Sequence, residues 1–186
     1  MGPSAHTSTG DTASLAQALR PSGIRPSEPR DAAAWDAAAT VADPEIPVLS
    51  IEDLGILRAA ACDQRGVAHV VITPTYSGCP AMETITEDIR TALSDAGFSQ
   101  VEVVTVLSPA WTTDWMSETG RAKLREYGIA PPTGRAAGPV RVGLSVKCPR
   151  CGSLNTKEMT RFGSTSCKAL YQCRSCLEPF DYFKVL

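Results

Sequence analysis

Large apolar residues are sparse over the first thirty positions, where Ser, Thr, Pro, Gly and Ala dominate. Such a segment cannot bury enough surface to offset its ordering entropy, so residues 1–30 are expected to be a disordered tail. A helix is expected from Asp31 to Val41, capped by Asp31 and rich in alanine, with Trp35, Ala38 or Ala39, and Ala42 on one face. Asp43-Pro44 ends it, because the residue before proline is pushed out of the α region. Ser50 to Gly55 has the form of one capped helical turn, Ser50 at the start, Asp53 three residues on and Gly55 as the stop. Ile56–Cys62 and Val67–Thr75 are strand-like runs joined by Asp63-Gln64-Arg65-Gly66, the pattern of a hairpin. Met82, Ile85, Ile89, Leu93 and Ala96 then recur at three- and four-residue steps, which predicts an amphipathic helix from Ala81 to Ala96 stopped by Gly97. Phe98 to Leu107 alternates as a third strand, and Ser117 to Tyr127 forms a last helix. Trp111 and Trp115 fit core or lid packing, or a cover over Cys79.

Pro131 to Pro139 has linker composition. The chain therefore divides into a tail (1–30), a body (31–130), a linker (131–139) and a short strand-rich module (140–186). The fold class is α+β, a small three-stranded sheet packed with helices and followed by a small β-rich module. Of 186 residues, 43% are hydrophobic and 20% charged, an ordinary globular composition. No apolar run approaches the ~20 residues of a membrane span. The N-terminus lacks the basic-then-apolar pattern of a secretory signal, which with the cysteine usage points to a reducing, cytoplasmic setting.

Charge is uneven. From Val140 onward eight Lys/Arg face three Asp/Glu, whereas the rest of the chain has ten against seventeen. A basic C-terminal module on an acidic body suggests an electrostatic docking surface, or simply a solvated face.

Two cysteine constellations carry candidate chemistry. Cys148-Pro-Arg-Cys151 and Cys173-Arg-Ser-Cys176 are two tight turns of two thiols each. Their separation, Gly152 to Gln172, is just beyond the roughly 15–20-residue spacer of four-cysteine zinc sites. Four thiolates suit tetrahedral zinc, with iron as the competing metal. A module of about 45 residues buries little core, so a metal staple is physically reasonable. Cys167 is a fifth thiol near that site, for packing or for function.

The second constellation is Thr73-Pro74-Thr75-Tyr76-Ser77-Gly78-Cys79-Pro80, between a strand and a helix. Gly78 supplies backbone freedom and Pro80 suits a first helical turn. Cys79 is thereby expected at a helix N-terminus, where free N–H groups and the dipole favour a thiolate. A buried structural cysteine is the competing reading. Cys62, at the end of a strand, is read as structural.

Asp43-Pro44-Glu45-Ile46-Pro47, Asp53-Leu54-Gly55, Thr73-Pro74-Thr75, Gly78-Cys79-Pro80, Pro109-Ala110-Trp111 and Trp115-Met116-Ser117, in this order, resemble the SufT-like iron–sulfur assembly domain over about residues 31–130. With the zinc-ribbon pattern and Phe162 to Tyr171, the chain is similar to the D-subunit family of phenylacetyl-CoA epoxidase systems, the ring-epoxidising monooxygenases of aerobic phenylacetate degradation. The resemblance implies an accessory factor, not itself a catalyst, that assembles or delivers iron–sulfur clusters. It implies Cys79 as the reactive thiol, with Asp43 and Glu45 in support, although Asp43 also suits a plain turn residue. It implies zinc in the ribbon, a transient iron–sulfur cluster, and the oxygenase and reductase subunits as partners, the reductase carrying a plant-type [2Fe–2S] centre. One thiol cannot complete a cluster's ligand set, so a homodimer or a client bridge would supply the rest.

Other function classes are weighed against the same residues. A docking component of the oxygenase needs only the basic ribbon. A thiol-dependent redox protein or enzyme needs a base or a second thiol; His6 is in the tail, His69 is in a strand, and no Cys/His arrangement is legible. A nucleic-acid binder is disfavoured by the acidic body and the lack of a basic–aromatic stripe.

Overall fold

The computed structural model describes residues 20–133 and 146–186. Within these the chain forms helices α1 (Pro29–Ala39), α2 (Ala81–Asp95) and α3 (Glu118–Tyr127), and strands β1 (Leu57–Cys62), β2 (Ala68–Ile72), β3 (Val101–Thr105), β4 (Thr156–Thr160), β5 (Lys168–Cys173) and β6 (Pro179–Phe183). β1 and β2 form the expected antiparallel hairpin, Leu57 opposite Ile72 and Cys62 opposite Ala68. β3 adds to β2 in parallel, Ala68 opposite Val101. The crossover between β2 and β3 is α2, so the turn that bears Cys79 opens at the carboxyl end of β2. β4, β5 and β6 form a separate antiparallel meander. The fold is α+β.

β1 and β2 are almost wholly buried because helices cover the sheet, and α2 contributes Ala81, Ile85, Ile89 and Leu93 to the core at helical spacing. Met82 is only partly buried, and Ala96, placed on that face by periodicity, is exposed just past the helix. β3 is an edge strand: Val101 and Val103 are half-buried and Val104 is 44% exposed. The Ser50–Gly55 turn forms as expected, with Asp53 N–H donating to Ser50 Oγ (3.1 Å) and Ser50 N–H to Asp53 Oδ2 (3.2 Å). Ser117 caps α3 through Gly120 N–H, and Gly128 ends it in the left-handed region at φ +94°.

Three local expectations differ. Asp31 does not cap α1. Glu28 does, taking the N–H groups of Arg30 and Asp31 at 2.9 Å, while Asp31 accepts from Cys62 N–H at 2.7 Å and ties α1 to β1. Two extra residues, Pro29 and Arg30, make this registration possible, since proline suits the first helical position. Ala42 lies outside the helix and is exposed. Residues 20–28, within the segment expected to be disordered, lie along the body. Ser22 and Gly23 N–H groups donate to Arg58 O (3.1 and 2.8 Å), and Arg25 pairs with Asp36 at 2.6 Å. Residues 1–19, and 134–139 of the expected linker, lie outside the described residues.

The β-meander docks on the body. Ala130 N–H donates to Asp181 O (2.8 Å), Phe183 N–H to Ala130 O (2.9 Å) and Thr113 N–H to Leu186 O (3.2 Å). Phe183, 1% exposed, and Cys167, 5% exposed, belong to the same apolar cluster as the body's core.

Candidate functional site

Pro80 has φ −70° and no side chain able to cap a helix, so α2 begins without a side-chain cap at that residue. The sulfur of Cys79 takes the Ala81 N–H instead, and the Thr75 side chain is its second hydrogen-bond partner. Cys79 N–H donates to Tyr76 O (3.2 Å) and Met82 N–H to Cys79 O (3.4 Å), which winds the turn into the helix. Cys79 is half-buried and free. The expected helix N-terminus is there, but its effect on the thiol is outweighed. Burial above all, and then the charges of Glu45 and Asp43, hold Cys79 above the ordinary thiol range against the Ala81 N–H and the Thr75 hydroxyl.

Asp43 and Glu45, in the loop of residues 43–48, act on the Cys79 thiol through their charge. Asp43, 7% exposed, accepts from Glu45 N–H and Ile46 N–H, both at 2.8 Å. It therefore does serve as a turn residue, while its charge also reaches Cys79. Burial pushes both acids up, and Lys168 pulls both back. Lys168 is 5% exposed and stands 3.8 Å from Asp181.

Cys167 requires a correction. Expected near the four-cysteine group, it lies outside it and is buried in the body's core cluster. Strand β5 starts at Lys168 and the chain before it folds back over the body, which carries the thiol away from the ribbon's tip. Its sulfur is 3.0 Å from Thr165 Oγ1. Burial is the main cause of its raised thiol pKa, with Glu45 and Asp43 adding to it. Ser166 is hydrogen-bonded to the Tyr76 phenol, which both thiols and Glu45 also influence. Tyr76, Ser166 and Lys168 carried no expected role. The signal available in the sequence was slight: a cysteine outside both Cys-x-x-Cys pairs, preceded by three hydroxyl residues.

The tryptophans are core and packing residues. Trp111 Nε1–H donates to Leu54 O (3.0 Å) and its ring meets Phe183 at 6.2 Å. Trp115 lies under the buried Arg58 guanidinium, 3.6 Å from its ring centroid. His69 turns toward carboxylates, with Nδ1 3.0 Å from Glu102 and Nε2 3.6 Å from Asp63.

The sulfurs of Cys148, Cys151, Cys173 and Cys176 lie within 4.8 Å of one another. Cys148 and Cys176 are 3.8 Å apart, and Cys151 and Cys173 are 3.6 Å apart. Zinc–sulfur bonds of about 2.3 Å at tetrahedral angles put sulfurs about 3.8 Å apart, so the set fits a tetrahedral metal. Cys176 N–H points at Cys173 Sγ (3.5 Å). That bond is the main cause that draws the Cys173 thiol down to about 6. Ser153 and Ser175 hydroxyls join the two turns at 2.8 Å.

Residues 31–106 match the iron–sulfur cluster assembly protein family, and residues 134–184 match the PaaD zinc β-ribbon domain. The chain is 52% identical over 153 residues to the D subunit of the Escherichia coli (strain K12) "Putative 1,2-phenylacetyl-CoA epoxidase", covering 82% of this chain and 91% of that one. It is 36% identical over 85 residues to the Fe-S protein maturation auxiliary factor SufT of Staphylococcus aureus (strain USA300), 45% of this chain and 96% of that one. A DUF59 domain from Bacillus anthracis, of known crystal structure, is 27% identical, with 51% of this chain and 91% of that one covered and a TM-score of 0.48. On the identity and coverage of the first of these relatives, together with both domain matches in one order, the chain belongs to the PaaD family, an iron–sulfur cluster assembly domain that carries a C-terminal zinc β-ribbon.

Proposed function

We propose that the chain is an accessory maturation factor that delivers iron–sulfur cargo to a multicomponent phenylacetyl-CoA epoxidase in phenylacetate catabolism, with Cys79 as the thiol that handles the cargo. The observation that carries this reading is the placement of Cys79. It is a free, half-buried thiol at the start of α2, hydrogen-bonded by Ala81 N–H and within reach of the charges of Glu45 and Asp43. A donor must hold iron loosely, and a single turn cysteine outside a complete ligand set does so. The reading draws on the relative named as the D component of an epoxidase and on the SufT relative named as a maturation factor.

In this reading Cys148, Cys151, Cys173 and Cys176 hold structural zinc, which when bound cross-links the two ribbon turns. The protein acts in the cytoplasm, on the oxygenase and reductase subunits. The client or a second copy of the chain supplies the missing cluster ligands. The basic ribbon offers a docking face for an acidic client, and it also favours a second reading, a docking component of the oxygenase with no cargo.

The test is the cluster occupancy of the epoxidase reductase, read by iron, labile sulfide and visible absorbance. The reductase is purified from cells with the wild-type chain, with Cys79→Ser, or with neither. Occupancy is expected to fall without the chain and to stay low with Cys79→Ser. Equal occupancy in all three removes cluster delivery to the reductase and leaves the docking reading.

A further inference from the structure

The β1–β2–β3 sheet has two faces, and the core lies on one of them. Leu57, Ala60, Ala68, Val70 and Ile72 belong to the core cluster, and Val101 and Val103 pack against it. Side chains alternate along a strand. The register therefore sets Ala59, Val71 and Val104 in one row of the second face, and Ala61, His69 and Glu102 in another. Ala59, Ala61 and Val71 are 2%, 1% and 4% exposed, yet among the described residues neither apolar cluster includes them. Exposure then rises to 44% at Val104, on β3.

The cover of this face must lie over β1 and β2 and stop short of β3. An α-helix with its side chains is about 10–12 Å across and strands are about 4.8 Å apart, so one helix covers two strands and leaves a third open. The chain leads such a segment to this place. Ser22 and Gly23 N–H groups donate to the carbonyl of Arg58, the residue before Ala59. Arg58 Nη2 donates to Pro21 O at 3.4 Å, and a Cβ on Gly23 would come within 2.5 Å of Arg58 Nη1, so the strap crosses directly over this side chain. Residues 1–19 thus join the described chain at the amino end of β1.

Asp11 to Leu19 has the pattern of a short amphipathic helix, with Asp11 in the capping position, Leu15, Ala18 and Leu19 at helical steps, and Pro21 just past the end. Residues 12–19 as a helix rise about 12 Å, and β1 from Arg58 to Cys62 runs about 13 Å. A helix this short is marginal in water and needs a docked apolar side. The other stretch outside the described residues, 134–145, is tied to the ribbon at both ends. Thr133 Oγ1 is 3.3 Å from the Tyr182 hydroxyl, and Val146 packs in the ribbon's own cluster.

We propose that residues 11–19 dock as a helix on the second face of the sheet, with Leu15 and Leu19 against Ala59, Ala61 and Val71. The tail thereby closes an apolar face that other chains could otherwise use, while Val104 and the β3 edge stay open. This is independent of the reading that cargo passes through Cys79.

Hydrogen exchange on the full-length, zinc-loaded chain tests it. Amides of residues 14–19 are expected to exchange about tenfold or more slowly than an unstructured chain. The double variant Leu15→Ser, Leu19→Ser should lose that protection while 57–62 and 68–72 keep theirs. Both substitutions lie in the tail, so the body's fold does not depend on them. Exchange of 14–19 at the unstructured rate in the wild type, or protection that survives the double substitution, overturns the proposal. Location is read with the photo-cross-linking residue p-benzoylphenylalanine in place of Leu15. Cross-links are expected within one chain to peptides holding residues 57–62 or 68–72. Cross-links only to other segments overturn the proposal. Cross-links only between two chains overturn it as well and assign the face to a second copy.

Discussion

Trp111 of the assembly domain and Phe183 of the last ribbon strand meet with ring centroids 6.2 Å apart and planes tilted at 55°. Both rings are buried, Phe183 to 1% exposure. The contact joins two modules that sequence composition divides near residue 132, and the backbone bonds of Ala130 to Asp181 and Phe183 run alongside it.

Phe183→Ala is therefore expected to destabilise the whole described chain and not the ribbon alone. A buried Phe→Ala change costs ~3–5 kcal/mol, from lost transfer energy and a residual cavity. Thermal unfolding should show a lowered midpoint. A midpoint within a degree of wild type would mean that the two modules fold independently.

Removing the ribbon's metal with a strong chelator is expected to unfold β4–β6 before β1–β3. Structural zinc contributes ~10–16 kcal/mol to small four-ligand modules, far more than this short meander's core could replace. Hydrogen exchange should show amides of residues 168–173 and 179–183 losing protection, while 57–62 and 68–72 keep theirs. Because Phe183 leaves the body's core with the ribbon, the body's own stability should fall as well. Cys148→Ser should reproduce the effect without chelator.

Asp53 binds Lys123 Nζ at 2.6 Å, Ser117 Oγ at 3.1 Å and Ser50 N–H at 3.2 Å, pinning the Ser50–Gly55 turn to α3. Burial acts to raise its carboxyl, but these partners hold it below the ordinary range. A carboxyl lowered in the folded state adds stability above its unfolded pKa of about 4, and this stability is lost as pH falls through the folded value. Asp53→Asn should cost ~1.5–3 kcal/mol at pH 7, the scale of hydrogen bonds to a charged group, and the deficit should shrink below about pH 4. Chemical denaturation at pH 7 and at pH 3 compares the two proteins; an equal deficit at both would remove the charge argument.

Much of the fold was legible because it rests on local rules. Ile85, Ile89 and Leu93 at helical steps, Gly128 as a helix stop, and the Ser50–Asp53 reciprocal cap each follow from a few neighbouring residues. The four ribbon cysteines were legible because metal ligands need paired turns. Asp31 was assigned wrongly for a tertiary reason: a carboxylate that could cap α1 is instead used by Cys62 N–H, 31 residues away. Cys167 failed for the same kind of reason. Its place in the body's core is set by how β5 and β6 dock there, and neither spacing nor periodicity encodes that packing.

Reactivity at Cys79 should run against its position. The sequence suggested a thiolate favoured by the helix N-terminus, yet burial and the charges of Glu45 and Asp43 raise the thiol despite the Ala81 N–H. Only the thiolate is alkylated, so the rate with iodoacetamide should still be rising above pH 8.5, where an ordinary cysteine is half ionised. Glu45→Gln removes a negative charge beside the sulfur. It should lower the thiol pKa and speed alkylation at pH 8 several-fold, since ~1 pKa unit changes the thiolate fraction about tenfold there. Thr75→Val removes a hydroxyl that favours the thiolate and should slow the reaction. Mass spectrometry of the Cys79 peptide over a pH series measures both. A Cys79 that reacts faster than free cysteine at pH 7, or Glu45→Gln with an unchanged profile, would show that the helix N-terminus and not the acidic loop governs this thiol.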